Sequence, residues 1–270
     1  MTFTEILSES WRLSSWAWLA VALVLAAYLR LLWRQVAPRH LGYLAVAVVV
    51  FLVAMVSPVA TLADGYLFSA HMVQHLLLLL IVPMMFMLAL PQRPLTRLFA
   101  RGSFDRFGQA LAYPPVGWLC GIGVMWVWHL PPCCDGSLLN PWIALLKIAT
   151  LLLAGFAFWW PVFSPVARYR CPPEGAVMYL FSGCLGCTLL GIFLTFTTNT
   201  VCPAYATFGD PLGIRPSLLA MGLTPAVDQQ LGGLMMWVPA CTIYLSSIIA
   251  VLRRWYRVTE EQENEQTLSA

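Results

Sequence analysis

The stretch from Leu67 to Leu90, LFSAHMVQHLLLLLIVPMMFMLAL, runs 24 residues without an Asp, Glu, Lys or Arg. An α-helix needs about 20 apolar residues to cross a bilayer core of about 30 Å, so this run is long enough to span one. Near its start it still carries His71, Gln74 and His75. Ionisable groups at membrane depth are costly and face a bundle interior or a cavity, which marks them as functional candidates. His71 and His75 are four residues apart and share one helix face, and Asp64 extends the stripe if the helix begins early. The same spacing lets two imidazoles reach one metal ion. The competing explanation is structural, two core histidines hydrogen-bonded between helices.

Six more apolar runs accompany this one: Ser15 to Trp33, Leu41 to Leu62, Leu111 to Leu130, Pro141 to Phe163, Ala176 to Thr198 and Asp228 to Leu252. Only 10% of the residues are charged and 60% are hydrophobic, against about 25% charged in soluble domains. The expected fold is all-α, an integral membrane bundle of seven transmembrane helices over residues 1–258. A membrane β-barrel would show short alternating segments instead. The polar, acidic tail over 259–270 has the composition of a disordered cytoplasmic segment. No small-residue cleavage site closes the first run, so a removable signal peptide is not expected. Nothing in the composition suits a nucleic-acid partner.

The basic residues orient the bundle. Arg30, Arg34 and Arg39 lie at the first connection, and Arg93, Arg97, Arg101 and Arg106 at the third. Arg168 and Arg170 lie at the fifth, and Arg253, Arg254 and Arg257 follow the seventh run. Only Arg12, Arg215 and the intramembrane Lys147 fall elsewhere. Cytoplasmic loops collect Lys and Arg, so the amino end is expected outside and the carboxyl end in the cytoplasm. Arg93 to Gln109, with Leu95, Leu98, Phe99 and Phe104 between arginines, reads as an amphipathic segment on the cytoplasmic surface.

This orientation gathers scattered residues at one face. His71 and His75 fall in the outer third of the third span, and His129 ends the fourth, with Met125 one turn below it. Lys147 lies under two turns into the fifth span, and Asp228 and Gln229 open the seventh. Asp228 also suits a helix first turn after Thr224 and Pro225. A lysine inside a span calls for a partner, and Asp64 or Asp228 is expected to supply it. Imidazole suits copper and zinc, while thioether and thiolate favour Cu(I), with Met72 and Met125 beside the histidines. Cys184 and Cys187 form a CxxC inside a span, but Gly183, Cys187 and Gly191 there make a row of small residues suited to helix packing. Outside, Cys133 or Cys134 can pair with Cys202 or serve as soft metal ligands.

Four motifs in this order, SAHMVQHLLLLLIVP, WHLP, AGFAFWWPV and DQQLGGLMMWVP, resemble the CtaG family of multi-span assembly factors for caa-type cytochrome c oxidase. The likeness runs from about Leu41 to Leu252. It implies an assembly factor in the bacterial inner membrane that works with cytochrome c oxidase subunits and helps copper reach the oxidase on the outer side. The positions it carries over are His71, His75, His129, Asp228 and Gln229. Where the family has further histidines and an acid in the fifth span, this chain has Ala144, Lys147 and Ile148. That departure argues against a second metal site. Transient copper binding at His71, His75 and His129, supported by Asp228, Gln229, Asp64 and Met125, is therefore the leading expectation. The alternatives are a haem- or quinone-linked electron-transfer subunit and a transporter for a small solute or ion. No nucleophile–base pair or phosphate loop is visible, so the chain is not expected to be an enzyme.

Overall fold

Proline sets most of the helix starts. Its fixed φ suits the first helical position, and the N–H it lacks has no helical partner there. In the computed structural model, which describes residues 3–100 and 102–269, α1 is Phe3–Glu9, α2 Ala17–Gln35, α3 Pro38–Val56 and α4 Pro58–Ala63. Then come α5 (Phe68–Ala89), α6 (Gln92–Leu98), α7 (Gly102–Ala112), α8 (Pro114–Trp128) and α9 (Pro131–Leu139). The chain closes with α10 (Pro141–Phe163), α11 (Pro173–Phe196), α12 (Ala204–Thr207), α13 (Arg215–Ala220) and α14 (Pro225–Ser269). No strand occurs among the described residues.

Among the described residues six helices, α2, α3, α5, α10, α11 and α14, are long and apolar enough to cross a membrane. A seventh span exists if α7 and α8, bent by 75° where they meet, count as one. The expected span Leu111 to Leu130 is thus broken at its start, because Pro114 and Pro115 force a new helix. The expected run Leu41 to Leu62 also divides. Pro58 disfavours helical backbone at Ser57, whose hydroxyl instead accepts from the Val59 amide at 3.2 Å. The amphipathic segment Arg93 to Gln109 becomes two helices, α6 and α7, with Phe99 turned inward onto the rings of Trp160 and Tyr169. Arg101 lies outside the described residues. Arg168 pins this corner by pairing with Asp105 at 2.9 Å.

The bundle is organised around α5, 67% buried against 11% for α2. Its middle widens into a π-helical turn at Leu77–Ile81, just before Pro83. Pro83 has no N–H to give the Leu79 carbonyl four residues back. α10 packs directly on that turn, and a Cβ at Gly155 would stand 2.2 Å from the Leu79 oxygen. α11 and α14 approach as closely, with a Cβ at Gly191 falling 2.9 Å from the Gly233 oxygen. Gly183 and the buried Cys187 belong to the same packed face. α14 continues in helical form to Ser269, through the tail where disorder was expected; Ala270 lies outside the described residues.

Candidate functional site

The first two turns of α5 place His71 and His75 one above the other, with ring centroids 4.3 Å apart. His129, just past the end of α8, brings its ring to 5.2 Å from His75. All three are buried. Helices distant in sequence thus bring three imidazoles into one buried cluster.

The acids expected beside this cluster act on its frame. Asp228, in the first turn of α14, accepts from the Phe68 amide at 2.5 Å, the Ser69 amide at 3.1 Å and the Ser69 hydroxyl at 2.5 Å. The opening amides of α5 have no partner within their own helix, so a carboxylate from another helix caps them. Gln229 accepts from the Val201 amide at 2.9 Å and donates to the Asn199 carbonyl at 3.0 Å, tying down the connection before α12. Asp64 pairs with Arg12. With both acids engaged, Lys147 does not pair with either. Its amine lies 3.4 Å from Nδ1 of His71 and is itself buried.

The hydrogen bonds of the histidines differ in kind. His129 Nδ1 is 2.6 Å from the Met125 carbonyl, which can only accept, so in the neutral ring Nδ1 carries the hydrogen. Nε2 is then a bare lone pair, and it faces the Met72 sulfur at 3.0 Å. Two electron-pair donors meet there with no proton between them. His71 is held by Lys147 on Nδ1. His75 has no partner on either ring nitrogen. Buried polar atoms are nearly always paired, so an imidazole orphaned on both sides needs a reason.

Aromatic rings roof the cluster. Phe68 stacks on His71 at 6.3 Å, and Tyr205 meets His71 edge-on at 6.0 Å. The Tyr205 hydroxyl donates to the Ala63 carbonyl at 2.5 Å, and burial holds this phenol well above its usual pKa, so it remains a donor. Above the rings lies a cavity of about 290 Å³ lined by Tyr66, Phe68, Tyr205, Arg215, Asp228 and Gln229. Nothing in the sequence pointed to Tyr205, which reaches the cluster from a long connection.

The cysteines also resolve. Cys134 is bridged to Cys202, which removes it as a metal ligand, and Cys133 is free and half-buried. Met125, fully buried, places its sulfur 3.6 Å from that of Cys187. Among the described residues, no three His, Cys, Asp or Glu side chains stand ready-made around a metal ion. The donor chemistry at the cluster is nevertheless soft and neutral, imidazole nitrogen with thioether sulfur, the set that suits Cu(I).

The family model for the cytochrome c oxidase caa3 assembly factor, Caa3_CtaG, matches residues 13–258. No curated protein and no solved structure matches the chain.

Proposed function

We propose a copper-handling role for this chain, which belongs to the Caa3_CtaG family of cytochrome c oxidase caa3 assembly factors. Family membership supports a part in oxidase assembly. The finer reading is that Cu(I), as cargo, rests at His71, His75 and His129 with the Met72 sulfur on its way to an oxidase subunit. In this reading the cluster opens toward the outer face of a bacterial inner membrane.

The observation that carries the reading is His75. An imidazole buried with both nitrogens unpartnered, flanked by two more imidazoles, is destabilising unless something binds there. A monovalent soft ion supplies that partner without asking for a carboxylate, and among the described residues no carboxylate hydrogen-bonds to the three rings. His129 adds a second ready donor, since its Nε2 and the Met72 sulfur already face the same point. Asp228 and Gln229 position the cluster by capping α5 and tethering the roof. Lys147 guards one side of His71 and must swing away for that ring to ligate through Nδ1.

The test is anaerobic Cu(I) titration of the detergent-purified protein against a chromogenic Cu(I) chelator. Wild type should take copper from the chelator, and a His71→Ala, His75→Ala double variant should leave it there. Equal uptake by both would remove the reading, and a haem Soret band in the purified protein would replace it with electron transfer.

A further inference from the structure

Below the histidine cluster, away from its capping acid, α11 and α14 bring a second set of soft side chains together. The sulfurs of Cys184 and Cys241 lie 2.9 Å apart, one from each helix. The Thr188 hydroxyl is 3.3 Å from the Cys241 sulfur. One turn along α11, the Cys187 sulfur contacts the Tyr244 hydroxyl at 3.4 Å. These thiols are neither bridged nor remote from the first site. His129 bonds to the backbone of Met125, and the Met125 sulfur lies 3.6 Å from Cys187. Met125, one turn from His129, and Cys187, one turn of α11 from Cys184, thus place two further sulfurs between the imidazoles and the Cys184–Cys241 pair.

We propose that Cys184 and Cys241 form a second Cu(I) site, a two-sulfur resting place reached from the histidine cluster through Met125 and Cys187. The choice of ion rests on the copper-handling reading, but the donor set supports it separately. Thiolates select soft ions. Zinc asks for four ligands, whereas Cu(I) is satisfied by two sulfurs in line. Among the described residues, no His, Asp or Glu side chain contacts either sulfur. Binding one Cu(I) displaces a proton from each thiol and leaves a bis-thiolate with one net negative charge, with no change of oxidation state. The Thr188 hydroxyl is placed to turn its hydrogen onto the Cys241 sulfur and offset part of that charge. The sulfurs must part well beyond their present 2.9 Å to admit an ion in line between them. Both side chains are only half-buried, which leaves room for that shift.

The experiment uses the full chain in detergent, anaerobically, with Cu(I) alone and Zn(II) alone as probes. Copper stoichiometry is measured by chelator competition on wild type, on Cys184→Ser, Cys241→Ser and on His71→Ala, His75→Ala. In parallel, maleimide labelling of wild type and of the histidine variant is mapped by peptide mass. Cu(I), but not Zn(II), should slow labelling of Cys184 and Cys241 by at least about tenfold, since a bound thiolate is not free to attack. The cysteine variant should bind one copper fewer than wild type and keep the copper that the histidine variant loses. Unchanged labelling with unchanged stoichiometry in the cysteine variant would overturn the thiol site and leave the histidine reading standing. Loss of the labelling effect in the histidine variant, with direct protection in wild type, fits delivery through the cluster. Full protection together with undiminished copper in the histidine variant would instead keep the thiol site and sink the histidine reading. A mass loss of two hydrogens at the Cys184–Cys241 pair after Cu(I) treatment would mark a disulfide and also overturn the proposal. The wild-type labelling needs no mutation, so a misfolded variant does not spoil the test.

Discussion

At His75, stability and function oppose one another. Replacing an unsatisfied buried polar group by an apolar one of similar size removes its desolvation penalty, worth about 1–3 kcal/mol. His75→Leu should therefore raise the thermal midpoint of the copper-free protein in detergent while abolishing Cu(I) uptake. A fall in stability would show that the ring has partners the structure does not hold. Lys147 gives a complementary case. Its amine occupies the approach to His71 Nδ1, so Lys147→Met should tighten Cu(I) binding by about tenfold, or about 1.4 kcal/mol; weaker binding in the chelator competition would make the lysine a helper instead. The i, i+4 spacing made the His71–His75 pair legible, and the sorting of arginines brought His129 to it. The lysine's partner was not legible. Arg12, an N-terminal residue outside the predicted spans, takes Asp64, and no local pattern announces an ion pair between positions so far apart.

At the level of helices, the cluster depends on how α5 is started and how it is packed. Asp228 satisfies two opening amides and a hydroxyl. Capping residues contribute about 1 kcal/mol in exposed helices, and a buried carboxylate with several donors contributes at the upper end, about 2 kcal/mol. Asp228→Ala should lower the thermal midpoint and loosen Cu(I) binding together, whereas Asp228→Asn, which keeps an acceptor, should lose less of both. If stability falls with copper affinity intact, α5 does not need its cap to hold the histidines. Breaks at Ser57–Pro58 and Tyr113–Pro114 are visible in the sequence once proline is given its backbone cost, yet hydropathy alone carries straight through them. The wide turn at Leu77–Ile81 could not be read, because a run of leucines has no periodicity to disturb. Its trace is indirect, a proline in α5 facing a glycine in α10, Pro83 against Gly155, that meet only in three dimensions.

For the whole molecule, the decisive question is which side of the membrane the cluster faces. The histidine end also holds Cys133 and the Cys134–Cys202 bridge, while Cys171 sits at the far end of α10 beside Arg168 and Arg170. A disulfide persists where the compartment is oxidising, and cytoplasmic connections gather arginine. These two arguments are physically independent, one redox and one electrostatic, and both support the proposal that the histidines face outward. The free thiols at the two ends make the assignment measurable without foreign reporters. In intact cells a membrane-impermeant maleimide should label Cys133 and spare Cys171, and permeabilisation should expose Cys171 as well, with Cys133→Ala and Cys171→Ala variants identifying each band. Labelling of Cys171 but not Cys133 in intact cells would turn the bundle over. The imidazoles would then face the reducing cytoplasm, and delivery of copper to an oxidase on the outer side would have no route from this cluster.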